Sequence, residues 1–371
     1  VMTRSVTAAV CAAALSVCAM QSAQAADNFP NRAVRMIIPF PVGGATDILA
    51  RVVAQKSSEL FGQQVVVDNR PGAGGTLGSR IAVTATADGY TLLMGTTSTH
   101  AIGPHLYAKP PYNSLTDFSP ITQIATSPNV LMVASQVPAQ SIKDLVALAK
   151  AQPGKLNFGS SGTGTQFHLS GELLKLLAGI NIVHVPYKGT GPAIADLLGG
   201  QIQLVFGAMP AMVPQHKAGR LRGIAVTTGK RIPTIPDIPT VGETITGYEA
   251  VLWYAAWGPK NLPKEIVSLW NREIARAITT PELKLRMEGE GLEPAGGPPE
   301  QLRDMLNRGL SVAIGTEHGV EPLATCSLVL SPVVVDGATL GTVGVLGPTR
   351  MNYPQALATV EIVGERLGRR L

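Results

Sequence analysis

The chain has 371 residues, 45% of them hydrophobic and 15% charged, with a formal net charge of +5. That length and apolar content suffice for two cored domains and exclude an intrinsically disordered chain. The positive excess is scattered: residues 311–371 hold four basic residues (Arg350, Arg366, Arg369, Arg370) against five acidic ones, and no basic run occurs anywhere, which argues against a nucleic-acid partner and suits a surface that meets anionic small solutes.

In chain order, residues 1–25 carry one basic residue, Arg4, then an apolar stretch over 6–20, then Ala23-Gln24-Ala25 in a small-x-small pattern. This predicts an export signal cut after Ala25 or Ala26, because about 15 apolar residues fall short of the roughly 20 that span a bilayer. A lipid anchor on Cys18 is disfavoured by the bulky Val17. Cutting removes Cys11 and Cys18, so Cys326 stands alone and no internal disulfide is expected. No second apolar run of about 18 residues follows, so the mature protein is expected to be soluble.

From residue 33 to about 208, β-rich runs (34–39, 64–67, 90–94, 130–134, 156–159, 182–185, 202–206) alternate with helical stretches (46–60, 75–85, 142–151, 166–177, 192–198). This alternation predicts α/β layers with parallel strands. Two of the strand-to-helix junctions share a phrase: Pro41-Val42-Gly43-Gly44-Ala45-Thr46-Asp47 and Ser160-Ser161-Gly162-Thr163-Gly164-Thr165 are Gly-rich loops without a basic residue that open onto a helix. Glycine permits close backbone approach, and free N–H groups at a helix N-terminus attract anions, so the pair predicts a cleft gripping a small carboxylate.

Ser141 with Asp144 three residues on forms a capping box for the 142–151 helix, and Pro153-Gly154 ends it. Residues 209–310 are Pro-punctuated, with strands at 221–227 and 249–258, a loop over 231–242 and helices at 264–278, 281–288 and 299–308. Ile266, Trp270, Ile274 and Ile278 recur every four residues and give one buried stripe, so Trp270 reads as core. Trp253, Tyr254 and Trp257 share a short strand, where they either pack the core or flank a cleft.

Enzyme signatures are missing. Gly72-Ala73-Gly74 lacks the third glycine of a dinucleotide loop, Gly189-Thr190-Gly191 has Ile194 in its place, and Gly229-Lys230 is followed by Arg231 instead of Ser or Thr. No Gly-x-Ser-x-Gly elbow occurs, and no paired His or Cys shows metal-ligand spacing; the six histidines (His100, His105, His168, His184, His216, His318) are dispersed and read as structural. No enzyme, cofactor or metal is expected. Asp47 stays open between a catalytic carboxylate, a ligand contact for an amino group and a first-turn acid favoured by the helix dipole.

Five phrases together resemble one family: Phe40-Pro41-Val42-Gly43-Gly44 with Asp47 and Arg51; Asn69-Arg70-Pro71-Gly72-Ala73-Gly74-Gly75; Tyr90-Thr91-Leu92-Leu93-Met94-Gly95; His184-Val185-Pro186-Tyr187-Lys188-Gly189; and Ile235-Pro236-Asp237-Ile238-Pro239-Thr240. Over residues 28–310 the chain is similar to the Bug family, the periplasmic solute receptors of tripartite tricarboxylate transporters. The resemblance implies a type II periplasmic-binding-protein fold, two α/β lobes joined by a hinge, with 26–127 and 226–310 as one lobe and 128–225 as the other. It also implies periplasmic localisation, a monomer, membrane transporter subunits as partners, and a small carboxylate ligand: a di- or tricarboxylate, an aromatic acid or an acidic amino acid. Carried onto this sequence, the ligand contacts are Val42, Gly43, Gly44, Ala45 and Thr46 with Asp47 beside them, Thr96, Thr97, Ser160, Ser161, Gly162, Thr163, Gly164, Thr165, the 187–191 stretch with Tyr187 and Gly189, and Gly207 between Phe206 and Ala208.

From about Ser311 the sequence departs from that family. Val312-Ala313-Ile314-Gly315, Cys326-Ser327-Leu328-Val329 and Leu346-Gly347-Pro348-Thr349-Arg350-Met351-Asn352-Tyr353-Pro354 resemble the C-terminal end of HrcA-type heat-inducible transcription repressors, represented here by the last pieces of a GAF-like α+β domain. The repressor's DNA reader is missing, so DNA binding is not carried over. The tail reads as strands 327–335 and 339–346 around Asp336-Gly337, then a helix over 354–367. The sequence thus reads as a receptor fused to a repressor fragment, the alternatives being a regulatory chimera whose tail mediates association, or a non-functional fusion.

Overall fold

The computed structural model describes residues 29–107, 109–307, 311–314, 326–335 and 338–348. The expected signal segment and the 354–367 helix lie outside these residues.

The amino-terminal part runs β1 (Val34–Ile38), α1 (Ala45–Phe61), β2 (Val65–Asn69), α2 (Thr76–Val83) and β3 (Thr91–Thr96). Strands β2, β1 and β3 pair in parallel, as βαβ crossovers require, and Val34, Met36, Ile37 and Ile38 of β1 are buried. A single-turn π-helix (Thr97–Ile102) follows, then β4 (Phe118–Val133), a 16-residue strand that begins twelve residues before the expected 130–134 run. Pro120 and Pro128 hide it from sequence reading. Register shifts between Pro120/Thr122 and between Gln123/Ala125 accommodate the irregular stretch.

The second part comprises α3 (Ile142–Ala151), β5 (Asn157–Ser160), α4 (Gln166–Ala178), β6 (Val183–Pro186), α5 (Thr190–Leu198), β7 (Leu204–Ala208), α6 (Met209–Lys217) and β8 (Arg222–Val226). The chain then returns through β9 (Val251–Pro259), α7 (Lys264–Thr279), α8 (Pro281–Gly289), β10 (Glu293–Gly296) and α9 (Pro299–Asn307). Helix α7 buries Ile266, Trp270, Ile274 and Ile278 as their spacing predicts, and the Trp270 indole donates to the Gly89 carbonyl at 3.1 Å. Helix α6, with Pro210 and Pro214, and strand β10 were not legible in the sequence.

Strand β4 joins two halves of one curled sheet. Its first part pairs antiparallel with β9, which in turn pairs with β3; its last part, Asn129–Val133, pairs with β7, and over Val130–Val133 also with β8, while β7 leads on to β5 and β6. The return crossing lies alongside: Thr227 N–H donates to the Asn129 carbonyl at 2.9 Å, and Ala250 N–H to the Thr227 carbonyl at 2.8 Å. The result is two α/β lobes joined by a two-stranded hinge, with an interlobe cleft.

The tail forms a separate antiparallel sheet in the order β11 (Ser311–Ile314), β12 (Cys326–Val335), β13 (Ala338–Pro348), with a register shift between Val333 and Val334. The two expected strands are present, and β11 adds a third.

Candidate ligand cleft

Three helix N-termini meet at the cleft. The first belongs to α1. Gly44 caps it without a side-chain bond, and the N–H groups of Ala45 and Thr46 have no partner among the described residues. Asp47, two residues further on, is buried beneath the loop and fully engaged. One oxygen accepts from Gly43 N–H (3.0 Å) and Arg51 Nε (3.0 Å), the other from Asn69 Nδ2 (3.0 Å), which also donates to the Phe40 carbonyl (3.0 Å). Burial opposes ionisation, yet the Arg51 guanidinium, the Gly43 N–H and Asn69 together hold its carboxyl below the usual carboxylate range. Asp47 therefore fixes the first loop's shape.

The second N-terminus belongs to α4. Ser160 Oγ accepts from Gly162 N–H (3.1 Å) and lies 2.7 Å from His184 Nε2, Thr165 Oγ1 donates to the Gly162 carbonyl (2.7 Å), and Gly164 N–H donates to His168 Nδ1 (3.1 Å). The His168 and His184 rings stack 3.9 Å apart. Burial, then the neighbouring His168 and Lys175, push His184 down to about 3, and burial lowers His168 as well, so both rings are neutral props for the loop. Gln166 N–H donates across the cleft to Ser98 Oγ at 3.0 Å.

The third N-terminus is that of α5, at Thr190. Its cap, Gly189, has φ 147° and ψ 173°, and a Cβ there would lie 2.6 Å from Cγ and Cδ of Pro41 on the opposite lobe. Nearby, a Cβ on Gly74 would meet the Thr163 carbonyl at 3.2 Å. The lobes are in contact, and the cleft is closed.

Between the three N-termini lies a small chamber with about 20 Å³ of room for the centres of water-sized spheres. Gly44, Ala45 and Thr46 line one side, Ser161, Phe167 and Thr190 the other, and Phe40, Thr96, Ser98, Leu252 and Tyr254 close it; none of these side chains is charged. Thr96 and Tyr254 are directly opposite in the β3–β9 pair, and both hydroxyls are buried; Thr96 also forms a capping box with Thr99, whose Oγ1 accepts the Thr96 N–H at 2.9 Å. The Ser127 hydroxyl beside Tyr254 donates to the Pro128 carbonyl at 2.9 Å, and its oxygen stands as acceptor for the Tyr254 phenol.

Of the residues expected from sequence, Gly44, Ala45, Thr46, Thr96 and Ser161 line the chamber. Gly162, Thr163 and Tyr187 line an adjoining open groove of about 410 Å³ that also reaches Gly72–Gly75 and Lys188. Val42 is 65% exposed. Gly43, Asp47, Ser160, Gly164 and Thr165 build the loops from behind, Thr97 Oγ1 accepts the Trp253 N–H at 2.9 Å, and Gly207 packs in β7 against Met212. Ser98, Phe167 and Leu252 were missed, since nothing in their local sequence marks them. Of the aromatic strand trio, Tyr254 faces the chamber while Trp253 and Trp257 pack in the core, Trp257 against His100 at 4.2 Å. Among the described residues no group of three His, Cys, Asp or Glu is arranged to hold a metal.

Residues 49–310 match the profile described as tripartite tricarboxylate transporter family receptor, and residues 298–357 that of the HrcA protein C-terminal domain. The chain is 37% identical over 285 residues to Protein BugT of Bordetella pertussis, covering 76% of this chain and 87% of that protein. It superposes on the structure of Rpa4515 of R. palustris with adipate at a TM-score of 0.73 and 38% identity, covering 75% of this chain and 93% of that one. MatC of Rhodopseudomonas palustris with bound malate gives a TM-score of 0.72 at 28% identity, covering 75% and 96%. The tail is similar to the heat-inducible transcription repressor HrcA of Shouchella clausii, 35% identical over 88 residues that make up 24% of this chain and 26% of the repressor.

Proposed function

The chain belongs to the tripartite tricarboxylate transporter receptor family, and on that premise we propose that it is an exported receptor that closes on a small carboxylate and presents the closed form to transporter membrane subunits. Its relatives are periplasmic solute receptors, not enzymes. The observation that carries the reading is the convergence of three helix N-termini on a closed, uncharged chamber between two hinged lobes. Each N-terminus stabilises an anion by about 0.3 to 2 kcal/mol, and exclusion of water on closure strengthens those contacts. The adipate and malate held by two structural neighbours support a dicarboxylate. We take 26–127 with 226–310 as one lobe and 128–225 as the other, a division supported by the sheet's change of partners near Asn129 and the return crossing at Val226–Thr227. Export rests on the signal pattern of residues 1–25; among the described residues no helix is long and apolar enough to cross a membrane.

A thermal melt of the chain against di- and tricarboxylates, nicotinate and acidic amino acids tests the reading. A transition that rises with the dose of a carboxylate is expected, since a ligand of the folded state stabilises it. A cooperative transition that none of these acids shifts counts against it.

A further inference from the structure

We propose that Ser98, Gln166 and Asn129 form a latch that couples the hinge to closure: Ser98 holds the closed lobes by accepting the Gln166 N–H, and the Asn129 amide keeps Gln166 in place to donate it. They are positioning residues, which set how readily the lobes close whatever the ligand. The inference rests on the receptor reading for the closing motion and adds to it the residues that control that motion.

The first ground is the bond across the lobes. Gln166 opens α4, and the first N–H groups of a helix have no acceptor within it. The Gln166 N–H donates instead to Ser98 Oγ at 3.0 Å, and both residues are buried. Ser98 lies on the π-helix of the first lobe and α4 belongs to the second, so this bond exists only while the lobes are together.

The second ground is the hinge. Asn129 is fully buried where β4 crosses between the lobes, and its Nδ2 donates to Gln166 Oε1 at 2.8 Å. The same Nδ2 stands 3.5 Å from the Ala250 carbonyl, so a flipped amide would set Oδ1 against that oxygen. On the return crossing, Thr227 Oγ1 accepts the Asn129 N–H at 3.1 Å and the Thr227 N–H donates to the Asn129 carbonyl at 2.9 Å. One residue thus bonds both crossing strands through its backbone and the start of α4 through its side chain. Rotation at the hinge carries the Gln166 N–H with it.

The third ground is the fixed position of the acceptor. On one side of Ser98, Thr97 Oγ1 accepts the Trp253 N–H at 2.9 Å; on the other, Thr99 Oγ1 accepts the Thr96 N–H at 2.9 Å and the Thr99 carbonyl accepts from Tyr112 Oη at 2.6 Å. A hydrogen bond weakens steeply when its partners move out of line, so two anchored partners meet at one lobe separation. Without the Ser98 hydroxyl, the Gln166 N–H is orphaned in the closed form but reaches water in the open one. The cost of losing it therefore falls on closure.

Hydrogen exchange of the backbone amide at position 166 reads the latch directly, because that amide has no helical acceptor. It is measured by NMR on the purified chain, alone and with adipate or malate, the acids held by two structural neighbours, in the wild type, Ser98→Ala and Gln166→Met. The methionine keeps the length of the side chain and removes the acceptor for Asn129. Protection at position 166 is expected in the wild type and is expected to fall roughly tenfold in both variants. Calorimetry with the same two acids is expected to show each variant weakened roughly tenfold, by one factor for both acids, and the double variant no weaker than Ser98→Ala. Exchange as fast in the wild type as in Ser98→Ala overturns the latch. So do losses that differ between the two acids or that add in the double variant, since Ser98 lines the chamber and would then act by touching the ligand. Protection that the variants lose while neither acid binds leaves the latch standing and counts against the carboxylate reading alone.

Discussion

Closure brings Gly189 against Pro41, and that contact admits no side chain. A Cβ at Gly189 would stand 2.6 Å from both Cγ and Cδ of Pro41, against the 3.5 to 4.0 Å at which carbons rest, so Gly189→Ala halts the lobes about 1 Å apart. At that separation the 3.0 Å bond from Gln166 N–H to Ser98 Oγ is lost, and the chamber admits water. Losing one buried hydrogen bond, together with weakened contacts to the α5 N-terminus, amounts to about 2 to 4 kcal/mol in the closed state, a Kd weakened roughly 30- to 1000-fold. Alanine at φ 147° and ψ 173° also carries a local strain of about 1 to 3 kcal/mol, but this acts in the open form too and appears as a lower melting temperature without ligand. Pro41→Ala removes the two clashing carbons. Calorimetry on the wild type, both single variants and the double variant should therefore show the affinity lost in Gly189→Ala and recovered in Gly189→Ala/Pro41→Ala to that of Pro41→Ala alone. Undiminished affinity in Gly189→Ala, or a loss that Pro41→Ala does not relieve, refutes steric control of closure.

Acid should destabilise the protein well before its carboxylates titrate. Burial holds His100 to about 3; burial, His168 and Lys175 hold His184 to about 3; and His168 is lowered too, while the unfolded chain takes up protons at an ordinary histidine pKa near 6.5. The unfolded state then binds more protons, so stability is flat above about pH 7.5 and falls below about pH 6.5, by at most about 1.4 kcal/mol per pH unit for each histidine. Urea melts at pH 7.5 and 5.0 check this, and equal or greater stability at pH 5.0 contradicts it. Truncation after residue 310 should leave ligand affinity within about twofold and the main melting transition in place. Truncation after residue 297 removes the buried Leu302 and should lower stability by at least about 2 kcal/mol, read from the same melts.

The sequence made the parallel-stranded parts of the fold legible because their signals are local: a β-branched run, a Gly-rich junction, an amphipathic helix. It did not reveal the full length of β4, whose prolines at 120 and 128 contradict strand propensity and are tolerated through register shifts that only the paired β9 defines. The cleft divides the same way. Gly44–Thr46 and Ser161 were legible because a loop opening onto a helix exposes its N–H groups whatever the rest of the chain does. Ser98, Phe167 and Leu252 were not, because their place in the chamber depends on how the lobes meet. Asp47 shows the limit of reading a charged residue in a binding loop: Gly43 and Arg51, four residues to either side, and Asn69, brought in from the next strand, together decide that it shapes the loop.

The two family matches overlap at residues 298–310, and packing decides to which body that stretch belongs. Leu302 is only 2% exposed, in a cluster with Ile37, Leu93 and Trp257 from the central strands of the first lobe, and Met305 and Leu306 pack against it. Just upstream, the Gly297 carbonyl accepts from Thr122 Oγ1 at 3.0 Å and Asn271 Nδ2 at 2.8 Å, which pins the start of α9 to β4 and α7. Helix α9 therefore completes the receptor's core. Beyond it, β11 pairs with β12 and not with any receptor strand among the described residues, so backbone pairing begins anew at Ser311. Among the described residues, side-chain packing into the first lobe runs as far as Leu306 and the separate sheet begins at Ser311.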